Sequence, residues 1–167
     1  MTPGRQQRKR YYTSLVLSVG LAVTITSALV PNLRAAVTER IVVDWHTGLA
    51  IEGYDPVAFF IDRKPMLGSA AFEYSYAGVV WRFCNPGNRD AFAAHPDIYM
   101  PQFGRYDPVG VAHGVAVAGN PVVWLISGRR LFLFYDRGRL ETFAAGAERI
   151  TAAARRQWPD VQQALSP

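Results

Sequence analysis

The stretch FEYSYAGVVWRFCNPGNRDAF, from Phe72 to Phe92, decides the fold. Phe72, Tyr74 and Tyr76 alternate with Glu73 and Ser75. Successive side chains of a strand point to opposite faces, so the aromatics share one side. Ala77-Gly78 turns the chain and Val79 to Phe83 returns, which reads as a hairpin with an aromatic face. Asn85-Pro86 then opens a short helix, with Asn as the N-cap. Proline at the first helical position gives up only an N–H that lacks an intrahelical partner anyway. That helix carries Phe92 inward and ends before Pro96. An aromatic sheet face followed at once by a helix that can cover it is an α+β arrangement.

Upstream, Gly53-Tyr54-Asp55-Pro56 reads as a turn. Asp55 is taken as an acceptor for its own turn, in preference to a catalytic acid. Val37 to Val43 reads as a linker entering a short strand. Downstream, Pro101 to Gly119 is glycine-rich and irregular, with room for one helical turn. A second hairpin follows, Val122 to Ile126 and Arg130 to Tyr135. Leu140, Phe143, Ala147, Ile150, Ala154 and Trp158 then recur at spacings of three and four, one apolar stripe of a C-terminal amphipathic helix. Glu141 at its start and Arg155 and Arg156 at its end suit the helix dipole. No internal repeat is read: the two hairpins differ too much in sequence to count as a duplication. The expectation is a small single α+β domain over residues 37–167, with its core at about 48–161, behind a leader over residues 1–36.

That leader holds Arg5, Arg8, Lys9 and Arg10 ahead of an apolar run from Leu15 to Val30 that Pro31 stops. The run suits either a cleaved signal peptide, with Thr26 and Ala28 as the small residues before the cut, or a retained single-pass anchor. Under the positive-inside rule both place the domain outside the cytoplasm, periplasmic or otherwise extracytoplasmic, touching the membrane only through residues 15–30. The leader also explains the net charge of +5. Every acidic residue lies beyond Val37, where the basic ones equal them in number, so the domain has no excess of cations to neutralise phosphates. Nucleic acid is excluded as a partner on that ground. Cys84 is the only cysteine, which rules out an intramolecular disulfide.

No phosphate loop, nucleophile elbow, zinc helix or Cys-x-x-Cys pair is present. The segment Gly53 to Phe60, however, resembles the opening motif of the YHS domain family, in its exported bacterial branch. The resemblance continues through Trp81-Arg82-Phe83, Asn88 to Phe92, His95-Pro96, Pro101 to Gly104 and Gly110-Val111-Ala112, and on to Trp124, Leu131, Leu133, Tyr135 and Trp158-Pro159. It implies a compact α+β fold related to cysteine-containing metal-binding modules, with biochemical roles mostly unassigned. In that branch a cysteine, or in some members selenocysteine, follows the Pro-Gln-aromatic-Gly stretch. Here that position is Asp107. A carboxylate cannot cycle between thiol and disulfide, and it is a hard ligand in place of a soft one.

Three residues remain as candidate metal ligands for a copper-like or zinc-like ion: Cys84, Asp107 and His113. Cys84 follows Phe83 beside the Asn85-Pro86 helix start, whose dipole favours a thiolate, although a free cysteine also serves as a small buried hydrophobe. His113 is otherwise a loop histidine, and His95 and His46 are weaker candidates. A cysteine substituted at Asp107 is expected to fit. Tyr99, Tyr106, Trp81 and Trp124 read as core and its rim, with an aromatic ligand pocket as the alternative. The functional expectation is an exported, non-catalytic module binding a metal ion or an envelope partner. A redox or metal-dependent enzyme and a purely structural interaction domain are the alternatives, and Asp107 counts against the enzyme.

Overall fold

Two β-hairpins, each followed by a helix, organise the described chain. The computed structural model describes residues 41–165 apart from positions 43 and 45. The leader and most of the strand expected over 37–43 lie outside these residues, and Ile41 and Val42 are not strand. A 3-10 turn, Ile51–Gly53, leads into α1 (Ala58–Ile61). The first hairpin is β1 (Ser69–Tyr76) with β2 (Val79–Phe83), followed by α2 (Pro86–Ala94) and α3 (Pro96–Tyr99). A second 3-10 turn, Gln102–Arg105, leads into α4 (Pro108–Ala112) and the second hairpin, β3 (Asn120–Ser127) with β4 (Arg130–Phe134). Two helices close the chain, α5 (Arg137–Ala144) and α6 (Ala147–Ala164). This is the expected α+β class. Among the described residues no helix is long and apolar enough to cross a membrane.

The first hairpin and its helix follow the sequence closely. Tyr74 pairs with Trp81 and Tyr76 with Val79, and the Asn85 side chain caps α2 by accepting from Asn88 N–H at 2.9 Å. Phe92 is fully buried, with its ring centroid 4.9 Å from that of Trp81 and 5.3 Å from that of Phe83. The C-terminal stripe is not one helix. It breaks at Gly146, whose backbone (φ −159°, ψ 43°) is not helical. Leu140 and Phe143 therefore belong to α5, and Ala147, Ile150, Ala154 and Trp158 to α6. Arg155 and Arg156 lie inside α6, which runs on through Pro159, so they do not cap its end.

A second correction is larger: the structure contains a repeat. Tyr-Asp-Pro-Val occurs at Tyr54 to Val57 and again at Tyr106 to Val109. Each copy follows three consecutive residues of positive φ, Ile51-Glu52-Gly53 and Phe103-Gly104-Arg105. Tyr54 bridges Leu67 and Tyr106 bridges Ala118, while Leu49 and Pro101 bridge Val80 and Leu131. Gly68 N–H donates to Gly53 carbonyl and Gly119 N–H to Arg105 carbonyl, both at 2.9 Å. A Cβ at Gly68 would lie 2.5 Å from the Arg82 backbone, and one at Gly119 2.8 Å from that of Leu133, so each position needs glycine for close approach. The hairpins share a register interruption, between Ser69 and Glu73 and between Asn120 and Trp124.

The two units stack in tandem. In the first, Phe59 and Ile51 pack against Leu131 and Leu133, with Trp124 completing the contact at 5.3 Å from Phe59. Those residues form one face of the second hairpin. Its other face carries Phe132 and Phe134, which pack on Phe143. In the second unit Phe103 and Val111 meet Ile150 and Ala154 of α6 where the first unit meets a hairpin. Helix α6 thus closes the stack as a cap, as terminal elements of repeat proteins do. At the opposite end the outer face of the first hairpin is polar, with Arg82 bonded to Glu73 at 2.8 Å. This asymmetry explains why β4 is buried on both faces and β2 alternates.

Leu133 and Arg82 occupy equivalent places on β4 and β2. Truncating Leu133→Ala should cost about 2–5 kcal/mol, as for a buried leucine, while Arg82→Ala should cost under about 1 kcal/mol. Urea unfolding of both variants measures the difference, and equal losses would contradict the stacking order.

Candidate functional site

Each repeat unit is tied by one buried aspartate. The Asp55 Oδ1 accepts from the N–H groups of Val57 (2.8 Å) and Ala58 (3.3 Å), bending the chain into α1. Its Oδ2 accepts from Cys84 N–H at 2.8 Å and from the Asn88 side-chain amide at 2.6 Å. Asp107 repeats the pattern: Oδ1 accepts from Val109 (2.8 Å) and Gly110 (3.0 Å), and Oδ2 from Tyr135 N–H at 2.8 Å. Both carboxylates are buried, at 0% and 1% exposure. Asp55 is thus the turn acceptor that the sequence indicates, and it also ties that turn to the end of β2 and to α2.

The three candidate ligands are placed apart in function. Asp107 has both oxygens occupied by backbone donors. His113 is exposed at the C-cap of α4, where its N–H donates to Gly110 carbonyl at 2.9 Å. Cys84 lies beside Asp55 in the other unit, and its thiol donates to Leu67 carbonyl at 3.5 Å. Among the described residues no group of three or more histidine, cysteine or acidic side chains is placed to hold a metal ion. Burial, then the neighbouring Asp55 carboxylate, pushes the Cys84 thiol up to about 11 from its ordinary 9.0. The helix start favours the thiolate, but burial and then the adjacent carboxylate outweigh it. His95 joins α2 to α3, and His46 lies in a turn whose N–H groups Asp44 accepts.

Between the units sits a buried cation that sequence reasoning does not single out. Arg105 has φ +81°, where the first unit has Gly53 at +79°. Its Nε donates to Gly119 carbonyl at 2.8 Å and its Nη2 bonds Glu52, while Nη1 is buried with no partner. Glu52 and Arg105 belong to the paired 3-10 turns, so this contact joins one repeat to the other.

A cleft of about 320 Å³ opens beside that junction. Its walls are Ile41, Trp81, Met100, Pro101, Phe103 and Trp158, with Asp97, Gln102 and Gln162 as the polar groups. Phe103 and Trp158 stand nearly at right angles, 70° apart with centroids at 5.6 Å. The helical stripe marks Trp158 as core, but only the fold reveals that it shares a hollow with Trp81 and Phe103. No protein-family model matches this chain, and no curated protein or solved structure matches it either.

Two outcomes follow from the aspartate geometry. A cysteine at position 107 should not fit as the sequence suggests, because it leaves three backbone donors without a carboxylate. Asp107→Cys should lose stability by roughly 1–3 kcal/mol for each orphaned donor, and Asp107→Asn by less. Thermal unfolding of the pair checks this; an unchanged midpoint in Asp107→Cys would refute the structural role.

Cys84 should be alkylated slowly at pH 8, with its rate rising to a midpoint near 11 in place of 9.0. The sign for stability follows. A raised folded value favours the protonated thiol, so that contribution is complete below the ordinary value and is lost as pH climbs toward 11. Stopped alkylation across pH, read by mass, measures the midpoint.

Proposed function

We propose that this chain is an exported YHS-type module that binds a ligand or partner in the cell envelope and carries out no chemistry of its own. The observation that carries this reading is the state of position 107. Where the resembling branch has a reactive chalcogen, this chain has a buried carboxylate whose oxygens accept three backbone N–H groups. Such a group is neither a nucleophile facing solvent nor an open metal ligand. The remaining thiol, Cys84, is held protonated and pairs with a carbonyl, which argues against thiol turnover. The cleft beside the repeat junction supports a binding role, since binding sites are mostly apolar with a few placed polar groups. Export rests on the cluster Arg5, Arg8, Lys9 and Arg10 ahead of the apolar run to Val30.

The metal reading, with Cys84, Asp107 and His113 around a copper-like or zinc-like ion, has less support because the Asp107 oxygens accept from backbone N–H groups and the described residues hold no group of three such side chains. Elemental analysis of the full chain, purified without chelator or tag-derived metal, separates the two. The expected metal content is well below one ion per chain. Stoichiometric copper or zinc that disappears in Cys84→Ser would overturn the proposal and restore the metal module.

A further inference from the structure

A hollow of about 140 Å³ opens where α4, α5 and α6 meet. Buried Val109 and Ile150 are among its apolar walls, and its polar side chains are His113, Thr142 and Arg149. Each of the three comes from a different element: His113 from the C-cap of α4, Thr142 from α5 and Arg149 from the first turn of α6. All three residues are exposed, so a solute can reach them. Among the described residues no aspartate or glutamate lines this hollow, although acids equal bases in number over the domain.

Gly146 locates the guanidinium. A Cβ there would lie 3.1 Å from Arg149 Nη2, so the arginine folds back over the turn between α5 and α6. It enters no ion pair among the described residues. Thr142 Oγ1 donates its one proton to Gly138 carbonyl at 2.8 Å, which leaves lone pairs as its remaining capacity. The hollow therefore offers a fixed cation, an imidazole able to donate an N–H, and a hydroxyl acceptor. A metal ion would meet the guanidinium charge there, whereas an oxyanion meets a cation and no carboxylate. The acceptor narrows the choice further. Sulfate and carboxylates carry no proton at neutral pH, but both neutral-pH forms of inorganic phosphate keep a P–OH. The volume is below the range of about 300–1,000 Å³ typical of sites for larger ligands, and suits a single tetrahedral ion. We propose that this hollow binds inorganic phosphate, with Arg149 and His113 donating to its oxygens and Thr142 accepting from its P–OH. It shares no residue with the cleft beside the repeat junction, so it stands or falls apart from the binding role proposed above.

Calorimetric titration of the full chain with inorganic phosphate, at neutral pH and low ionic strength, tests the site. Saturable binding of one ion is expected, with sulfate several-fold weaker. Arg149→Gln should weaken phosphate binding about tenfold, Arg149→Lys by less, and His113→Gln several-fold, as for lost charge-assisted hydrogen bonds. These residues are exposed, so the variants should keep the parent unfolding midpoint. Arg156→Gln removes an exposed charge of α6 outside the hollow and should leave binding unchanged. An equal loss in Arg156→Gln would overturn the site in favour of diffuse surface attraction. Equal affinity for sulfate would overturn the assignment to phosphate, and the absence of saturable binding would overturn the proposal outright. Binding to phosphatidic acid vesicles without binding of free phosphate would also overturn it, with a membrane surface as the occupant.

Discussion

A buried carboxylate that must satisfy several backbone N–H groups is the constraint on which this structure rests. Asp55 and Asp107 each stand where the chain leaves a 3-10 turn, begins a short helix and passes the end of a hairpin. The amides brought together there are out of reach of water, and buried amides without acceptors are costly. One aspartate, with two oxygens and four lone-pair sites, serves them together. By doing so it fixes the turn against the second strand of its own hairpin. That placement sets Phe59 and Val111 at the open side of each unit, where the next layer must cover them.

The stacking follows from that placement. The first unit is covered by the second hairpin, and the second unit by α6. A hairpin used as a cover has to be apolar on both sides, which is why Leu131 to Phe134 are all buried. Helix α6 ends the series with an apolar stripe toward the core and charged residues outward. Glu52 and Arg105 mark the seam between units. With Arg105 buried and Glu52 open to solvent, the pair contributes little net stability, because the desolvation of the arginine and the screening of the glutamate offset much of the attraction. Its specificity lies in joining two particular turns. The aromatic cleft arises beside the same seam, where the second unit's turn meets the far end of α6.

This architecture also separates structural from functional polarity. The most buried acids hold the backbone, and the lone thiol is tuned away from reactivity by burial first and by one of those acids second. Apart from these groups, the described residues form a largely apolar hollow with Asp97 on its wall. Catalysis requires exposed groups with matched proton affinities, and the two aspartate knots are closed to any such use.

Much was legible from local patterns. Alternation over Phe72 to Phe83, the Asn85-Pro86 helix start and the spacing from Leu140 to Trp158 depend on neighbouring residues, so periodicity and capping determined the hairpin, the central helix and the buried stripe. The break at Gly146 was hidden because the stripe's spacing runs through it unchanged. The repeat was present in the sequence as two copies of Tyr-Asp-Pro-Val, but the hairpins behind them bury different faces and so carry different residues. Only the tertiary structure decided that Asp107 faces the Tyr135 amide, that Cys84 lies beside Asp55, and that His113 is exposed at the end of α4. It alone brought Phe103, Trp81 and Trp158 around one hollow. Those relations join residues distant along the chain, and long-range contacts are set by how whole faces pack, which no local spacing encodes.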